Sequence, residues 1–600
     1  MERLDGYHGI WFTLGQFRPS GDELSPYGDK YSGGLGTYTA KHCPLAIYDD
    51  VVEKTFFVYG GARDHRRHLL AMVGAYDHRR HRVCRPLVVH DKATVDDPHD
   101  NPSIAQDEDG YLWIFVSGRG RHRPGFIYRS CSPRCVEDGF EVVSEGELTY
   151  PQPWWIQGAG FLHLFTKYTG VRELYWNRSH DGVTWTPDQK RAGMEGHYQV
   201  SRRVPEAGVS GLGDLIGGAG QPEQSRVITA FNRHPEGHPD NRTDLFYLET
   251  DDLGDSWRTA GGQDLSAELP LTTAQTPARV YDFASDQRLV YMKDISVDRD
   301  GHPVILVVTS ADHRPGPMGG PRKWTLARWQ PEGWQLTEIT STTHNYDMGS
   351  VYITADDWRI VAPTEPGPQH WGTGGEMALW VSEDDGWSWR MADQLTSGSI
   401  SNHAYARRPV NAHPGFYAFW ADGNPDHFSA SRLYFCNREG TVWQMPIAMS
   451  GQEAEPEVVE VLYREAKNWE NRGYTDNGID AFKAAAAGYM EQVFGVSGLN
   501  PNSEINHGIG SKPVLALLPM AFINPGDITI MTTPGYPLLG STTAAIGGEV
   551  VNLPLLEEND FLPDLDALTE DQKRRAKLLC LNYPNNPTGA VATEAFYKKV

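Results

Sequence analysis

The sequence has no long hydrophobic run and little cysteine, and each absence excludes a class of protein. The longest apolar stretch, 514–523, contains a proline and is too short to cross a membrane. The first twelve residues lack a basic segment followed by an apolar run, so no signal peptide is predicted. Only Cys131 and Cys135 among the six cysteines are close, and no second pair completes a zinc site. We therefore expect structural thiols and a cytoplasmic protein, or a periplasmic or secreted one if the natural N-terminus differs.

The charge balance excludes a second group of partners. A formal net charge of −24 and a pI near 5.3 argue against binding to nucleic acid or to an anionic membrane. The length of 600 residues exceeds one ordinary hydrophobic core, so at least two structural units are expected. The 62 Gly, 40 Pro, 18 Trp and 27 Tyr suit short strands joined by tight turns. The sequence does not determine the oligomeric state.

Strand-like runs separated by turn residues fill the chain from residue 10 to about 463. They are rich in β-branched and aromatic residues and are bounded by Gly, Pro, Asp or Asn. Examples are 54–61, 111–118, 161–168, 244–250, 303–310 and 415–423.

A repeated motif divides this region. The segments 250–257 and 382–389 fit the Asp-box pattern S/T-x-D-x-G-x-S/T-W, and 179–185 is one residue short of it. The motif aspartates are spaced by about one and about two periods of roughly 66 residues, which predicts seven blades of a β-propeller over 1–463. We interpret the motif as structural, with Asp and the hydroxyl groups tying a turn while Trp packs into the blade.

Several phrases of this region, in order, resemble one family of propeller enzymes. They are 30–48, 97–115, 195–201, 290–295, 345–352, 374–389 and 403–423. The region is similar to rhamnosidases and lyases of the BNR/Asp-box, sialidase-like propellers that act on L-rhamnose α-1,4-linked to D-glucuronic acid. The resemblance implies an enzyme acting on a uronic-acid-containing glycan of the arabinogalactan type. Because the protein is acidic, cations must be concentrated locally where such a substrate binds.

The first functional prediction is an exo-acting rhamnosidase. The family's rhamnosidases use one essential histidine in an A-K-H-x-P segment, and the matching residue here is His42. A histidine can exchange a proton near neutral pH, as glycosidic cleavage requires. Most glycosidases use two carboxylates, and the sequence identifies no such pair. The alternative is that His42 is a packed residue hydrogen-bonded to the backbone.

The second prediction is a lyase that cleaves the same linkage by β-elimination. Such an enzyme needs a base, an acid and a cation that neutralises the uronate carboxylate. The resemblance assigns catalysis to His99 and Tyr150, with Arg119, His122 and Lys167 binding substrate. The match departs from the family pattern, since Asp100 follows His99 and Arg119 and Lys167 stand near positions usually held by His and Arg.

Three further residues, Glu376, Arg407 and Arg408, are predicted to bind sugar, with a surface salt bridge as the alternative for each. A propeller lectin without catalysis is a third prediction. The resemblance also implies calcium in the central channel, although the sequence has no EF-hand-like spacing to support it.

From about residue 464 the sequence alternates helical and strand-like stretches, which is α/β patterning with a parallel sheet. The phrases 471–485, 508–518, 532–540 and 582–590 resemble fold-type I aminotransferases, most closely the LL-diaminopimelate aminotransferases. The resemblance implies that pyridoxal phosphate is bound by a set of six residues. They are Tyr474, Gly510, Ser511, Lys512, Tyr536 and Asn586.

The expected second domain, 464–600, is therefore an incomplete α/β PLP-transferase large domain. The sequence stops before the aspartate and the lysine with which that family holds the cofactor. Pyridoxal phosphate and transaminase activity are expected only if this half is complete in the natural protein. A gene fusion, an assembly error and a truncated chain remain open explanations.

Overall fold

The computed structural model describes residues 37, 41–62, 68–93, 95, 97–120, 122–204, 225–314, 319–370, 372–424, 431–446, 456–473 and 477–600. The chain divides into two compact units, 1–451 and 452–600. The sequence predicted this division at 463/464. The charged stretch that suggested a junction forms a helix, α1 (Pro456–Lys467), which lies within the second unit.

Unit 1 contains seven antiparallel sheets that follow one another along the chain, which confirms the seven-bladed propeller. Each sheet is a meander, and the first strand of one sheet contacts the first strand of the next in several neighbouring pairs. The first four blades are β1 Ala46–Asp49, β2 Lys54–Ala62, β3 Leu69–Asp77, β4 Arg82–Val83 and β5 Leu87–Asp91; β6 Pro102–Gln106, β7 Leu112–Val116, β8 Gly125–Ser130 and β9 Phe140–Gly146; β10 Thr149–Ile156, β11 Gly160–Tyr168, β12 Arg172–Ser179 and β13 Gln189–Ala192; β14 Gln199–Val204, β15 Arg226–Arg233, β16 Thr243–Thr250 and β17 Arg279–Tyr281.

The last three blades complete the ring. They are β18 Leu289–Val297, β19 Pro303–Ser310, β20 Arg322–Gln330 and β21 Gly333–Ser341; β22 Ser350–Ile353, β23 Trp358–Glu365, β24 Glu376–Ser382 and β25 Arg390–Gln394; β26 Asn402–Arg407, β27 Ala418–Gly423, β28 Leu433–Cys436 and β29 Val442–Gln444. Val410 follows β26 and closes the ring, because its N–H donates to Ala46 O at 2.8 Å and its carbonyl accepts from Tyr48 N at 2.9 Å.

Burial follows the position of a strand within its blade. All eight residues of β19 are buried, because a middle strand is covered on both faces by the adjacent blades. All five residues of β25, an outermost strand, are exposed. The predicted runs coincide with β2, β7, β11, β16, β19 and β27. The core of unit 1 is thus a series of apolar layers between blades.

The three Asp boxes form the turns predicted from the sequence. Asp252 accepts from Ser256 N at 2.8 Å and from Thr250 Oγ1 at 2.8 Å, and Asp384 makes the same contacts with Ser388 and Ser382. Gly182 has φ of 74°, and a Cβ there would lie 2.4 Å from the Trp113 ring, so only glycine fits this turn. These turns connect the third and fourth strands of their blades.

Unit 2 has a three-stranded parallel sheet in the order β31 (Glu549–Pro554), β30 (Ile528–Thr533), β32 (Ala576–Leu579). The remaining helices are α2 Asp480–Phe494, α3 Ser511–Phe522, α4 Leu538–Ala545, α5 Glu570–Arg575 and α6 Glu594–Lys599. The α/β pattern is therefore confirmed, and its small core centres on Ile528, Ile530 and Leu553. No helix in the described ranges is long and apolar enough to cross a membrane. All six cysteines are free thiols.

Candidate active site

The predicted catalytic residues of unit 1 lie on one face of the ring. In a four-stranded meander, the connection between blades and the connection between the second and third strands lie at the same edge. Tyr150 stands at the start of β10, and His42 and His99 lie in the segments that lead into β1 and β6. The Asp boxes, which join third to fourth strands, lie on the opposite face.

The structure brings His42, His99 and Tyr150 together. The ring centroid of Tyr150 lies 5.5 Å from that of His42 and 5.7 Å from that of His99. His42 is fully buried, and its Nε2 lies 2.9 Å from the carbonyl oxygen of His99. That hydrogen bond is the backbone contact considered above as the structural alternative for His42. Tyr150 has φ of 54° at a bulge between Thr149 and Gln152, a strained conformation of the kind found at functional sites.

Asp97 orients the second histidine. Its Oδ1 lies 2.5 Å from His99 Nδ1, and its Oδ2 accepts from Arg119 at 2.7 Å and from Arg123 at 2.6 Å. Although burial opposes it, His99 and the two guanidinium groups hold the pKa of Asp97 below its usual range. An ionised Asp97 accepts the Nδ1 proton of His99, so Nε2 becomes the basic nitrogen of that ring.

A second group of residues continues the site beyond Tyr150. The Tyr198 ring centroid lies 5.6 Å from that of Tyr150, and three basic side chains lie over the Tyr198 ring. Lys41 Nζ is 4.3 Å from its centroid, and the guanidinium carbons of Arg242 and Arg172 are 4.5 Å and 5.4 Å from it. This group, the Tyr198 cluster, also contains His234, Tyr291 and Tyr346. An acidic protein thus concentrates cations on this face, as an acidic ligand requires.

Burial has opposite effects on the pKa values of His99 and Tyr150, whose rings are in contact. It lowers the pKa of His99, despite the opposing effect of Asp97, and so favours neutral imidazole at pH 7. Burial, together with Tyr168 and Tyr198, raises the pKa of Tyr150 well above its usual range and keeps its hydroxyl protonated. A neutral imidazole beside a protonated phenol can accept one proton and donate another.

Other predicted substrate-binding residues lie outside this contact network. Lys167 Nζ binds Asp188 at 2.9 Å and Glu147 at 3.7 Å, while His122 is exposed. Glu376 is buried and accepts from Ser399 N and Ser399 Oγ, both at 2.8 Å. These bonds give Glu376 a structural role, because they fix the chain that leads into β26.

Arg407 is buried and Arg408 is half-buried, so neither forms an exposed surface salt bridge. Arg407 Nε donates to Thr37 O at 3.1 Å, and burial lowers the pKa of Arg407 to about 10. Arg408 Nη2 lies 3.3 Å from Asp294, whose pKa is raised to about 6 by burial. Among the described residues, one trio has metal-ligand geometry, Asp298, Asp300 and His302, and it lies on the β18–β19 turn. The predicted channel calcium remains a prediction.

The motif residues of unit 2 lie at one edge of its sheet. Tyr536 follows β30 and Asn586 follows β32, and the carboxyl ends of these adjacent parallel strands meet at that edge. Asn585 Nδ2 lies 3.5 Å from Pro534 O, which brings the two loops together. Gly510, Ser511 and Lys512 open α3, all exposed, and Tyr536 is 37% exposed. Tyr474 lies outside the described residues.

Comparison with known proteins follows the division into units. Two families match this chain. Residues 64–342 match a model described as BNR repeat-containing family member, and residues 448–600 match aminotransferase class I and II. A solved structure of the PL25 ulvan lyase, bound to -[GlcA(1-4)Rha3S]-, aligns over 70% of this chain and 96% of its own with a TM-score of 0.54. Since the identity is 15%, this likeness shows the fold of unit 1.

Curated relatives match unit 2. An LL-diaminopimelate aminotransferase of Methanocaldococcus jannaschii is 60% identical over 156 residues, which is 26% of this chain and 37% of the relative. The enzyme of that name from Methanococcus maripaludis is 53% identical over 155 residues, again 37% of its length. The chain therefore spans little more than a third of these relatives.

Sequence reasoning missed the Tyr198 cluster, although a signal for it was present. Tyr150, Tyr198, Tyr291 and Tyr346 each stand at or near the start of an innermost strand, and all four are buried. Three of them occur in phrases that carried the resemblance, so a repeated tyrosine at this position in the blade could have been found. The partners Arg172, His234 and Arg242 come from other strands and loops and carry no local pattern.

Proposed function

We propose that unit 1 is a polysaccharide lyase that cleaves the rhamnose–glucuronate linkage by β-elimination. The contact between a neutral His99 and a protonated Tyr150, beside Arg119, is the observation that supports this proposal. In this proposal His99 is the base, Tyr150 the acid and Arg119 the group that neutralises the uronate.

The reaction balances with these three residues. His99 Nε2 removes the proton at C5 of the glucuronate, and the electron pair forms the C4=C5 double bond as the C4–O bond breaks. Tyr150 donates its proton to the departing oxygen, which becomes a hydroxyl of rhamnose. Arg119 stabilises the charge that develops on the carboxylate during proton removal. The proton on His99 must then return to Tyr150 through solvent or the shared site.

The carboxylates at this site disfavour the usual hydrolytic pair. Asp97 already binds His99, Arg119 and Arg123, and Asp240 accepts a hydrogen bond from Tyr346. Hydrolysis by the common mechanism needs two carboxyl groups that flank the scissile bond. Within the described ranges, the residues around Tyr150 do not offer that arrangement.

A His42-dependent rhamnosidase is the second candidate, because the His42 ring meets the edge of the same Tyr150. Burial lowers the pKa of His42 well below its usual range, although the bond to His99 O opposes this. Since Nε2 is directed to that carbonyl, this mechanism needs proton transfer at Nδ1.

The two candidates differ in their products. We would incubate the full chain with the disaccharide L-rhamnosyl-α-1,4-D-glucuronate and measure free rhamnose together with ultraviolet absorbance of the conjugated uronate. Elimination releases both, and His99→Gln should lower both signals together. Release of rhamnose without the chromophore would contradict the lyase. If His42→Ala also abolishes that release, the hydrolase is supported instead. Binding without any product would favour the lectin.

For unit 2, we propose that residues 448–600 are a segment of an LL-diaminopimelate-type aminotransferase, supported by the 60% identity to one. The present residues fit part of a pyridoxal phosphate site, because Tyr536 and Asn586 share a sheet edge. Tyr536 would face the pyridine ring, Asn586 the ring hydroxyl, and the first amides of α3 the phosphate. Bound there, the cofactor would supply an electron sink for amino-group transfer. Titration of cofactor fluorescence with wild-type protein and Asn586→Ala tests this assignment; equal affinities would contradict it.

A further inference from the structure

A pocket with a cavity volume of about 290 Å³ lies beside the Tyr198 cluster, between blades 4 and 5. Its walls are the connection 234–242, which joins β15 to β16, and the connection 282–288, which leads into β18. Both connections lie on the face that carries Tyr150. The pocket therefore lies on the same face of the ring as Tyr150.

One loop forms a wall common to the pocket and the site. Asn241 and Thr243 line the pocket, while Arg242 between them reaches the rings of Tyr198 and Tyr346. Leu289 of β18 also lines the pocket, and it packs against Tyr291 and Tyr346 of the Tyr198 cluster. Because neighbouring residues of an extended chain point to opposite sides, the backbone at Arg242 separates the pocket from the Tyr198 cluster.

The residues that line the pocket suit a sugar that carries no charge. Asn241 and Gln287 supply amide groups, and Pro235, Ala284 and Leu289 supply an apolar surface. Arg288 is the charged lining residue, and it already binds Thr309 and lies 3.9 Å from Glu338. Amides above an apolar surface suit the hydroxyl groups and the C–H face of a neutral pyranose.

Thr243 gives the independent indication of a ligand. The residue is 4% exposed, and its Oγ1 is buried without a hydrogen-bond partner. A buried hydroxyl without a partner costs free energy that a bound sugar hydroxyl would recover. Gln287, across the pocket, has φ of 54°, a conformation that is retained at a cost for a residue other than glycine.

We propose that this pocket is a subsite for a neutral sugar unit of the same polysaccharide, beyond the acidic residue held at Tyr150. This inference rests on the proposed function and deepens it, because it makes an extended chain the preferred substrate. The cation-rich cluster takes the acidic sugar, and the adjacent pocket takes a neutral one. Alternation of acidic and neutral units in the substrate would fill both.

Thr243→Val is the informative variant. It replaces the unpaired hydroxyl by a methyl group, so the variant should unfold at the same temperature as wild type or a higher one. For a hexasaccharide of alternating glucuronate and rhamnose, kcat/KM should fall about fivefold, since one hydrogen bond is lost. For the disaccharide, kcat/KM should stay unchanged. Asn241→Ala should show the same selectivity. Ser285→Ala, in the connection 282–288 that carries Gln287 but outside the lining, should behave as wild type.

Equal losses on both substrates, or a wild-type kcat/KM that does not rise with chain length, would overturn the subsite. Calorimetric titration of the hexasaccharide separates this proposal from the lyase. If the hexasaccharide is bound but not cleaved, and Thr243→Val weakens this binding, the lyase proposal is wrong and the subsite proposal stands. If the disaccharide is cleaved, and wild type and Thr243→Val bind the hexasaccharide with equal affinity, the lyase proposal stands and the subsite proposal is wrong.

Discussion

The two units place their chemically distinctive residues in opposite environments. In unit 1 His42 is 0% exposed and Tyr150 is 1% exposed, and each contacts other ionisable groups. In unit 2 Tyr536 is 37% exposed, and Asn586 and Lys512 are also exposed. Burial changes protonation and strengthens charge interactions, whereas solvent screens them. The unit 1 residues therefore lie where burial shifts their protonation, whereas the unit 2 residues remain in contact with solvent.

The same contrast extends to the apolar residues. Every residue of β19 is buried between blades, whereas α3, which is mostly apolar, leaves Leu517 59% exposed and Met520 62% exposed. A helix that is hydrophobic on all sides is typical of a protein interior. Unit 2 is 60% identical to one relative over 156 residues, yet these two apolar side chains of α3 are exposed.

The largest expected effect tests the buried site. Tyr150→Phe should lower the rate of uronate cleavage about 10³-fold, because it removes the proposed acid. Tyr536→Phe, the matched change in unit 2, should leave this rate unchanged. Initial rates of chromophore formation measure both. A Tyr150→Phe variant as active as wild type would remove Tyr150 from the mechanism.

A second expected effect concerns stability. Leu162 is 0% exposed in an interblade layer, so Leu162→Ala should lower the free energy of unfolding by about 3 kcal/mol. Leu517→Ala, at an exposed position of α3, should change it by about 0.5 kcal/mol or less. Urea unfolding monitored separately for the two units measures the difference. Similar losses at both positions would show that α3 is covered in solution.

A smaller effect should appear in the pH dependence of unit 1. Burial lowers the pKa of His163 to about 3, and of His197 and His403 to about 4. Unfolded histidines have a pKa of about 6.5, so below this pH the unfolded chain binds more protons and stability falls. The loss should continue until the pH approaches about 4 for His197 and His403 and about 3 for His163.

Calorimetry from pH 7.5 to pH 4.5 would measure this slope. His163→Gln should reduce the pH dependence of the unit 1 melting temperature, because one buried proton-binding group is removed. The exposed His180 provides the control, and His180→Gln should retain the wild-type slope. Identical slopes in the two variants would contradict the assignment to burial.

The smallest expected effect is on the coupling of the two units. All residues of the proposed lyase lie within 1–451, and Val410 closes their ring against β1. Deletion of 452–600 should therefore change kcat/KM for the disaccharide by less than about twofold. A larger loss, measured with protein of equal melting temperature, would show that unit 2 contributes to the site.

The elements predicted best were those determined by local pattern. The Asp-box turns at 250–257 and 382–389 formed as expected, because their hydrogen bonds join residues a few positions apart. The helix at 480–494 follows from its alanine-rich composition. The sequence predicted the unit boundary at 463/464, and the compact units divide at 451/452, with the charged helix α1 in the second.

By itself, the sequence determined the seven blades, the α/β character of the second unit and the identity of His42, His99 and Tyr150 as residues to examine. Only the tertiary structure decided that Asp97 orients His99, that Lys167 binds Asp188 instead, and that Lys41, Arg172 and Arg242 surround Tyr198. The physical reason is the sequence separation over which each kind of interaction acts. Strand periodicity and turn hydrogen bonds act between near neighbours, whereas this site joins side chains from several blades whose proximity exists only once the ring has closed.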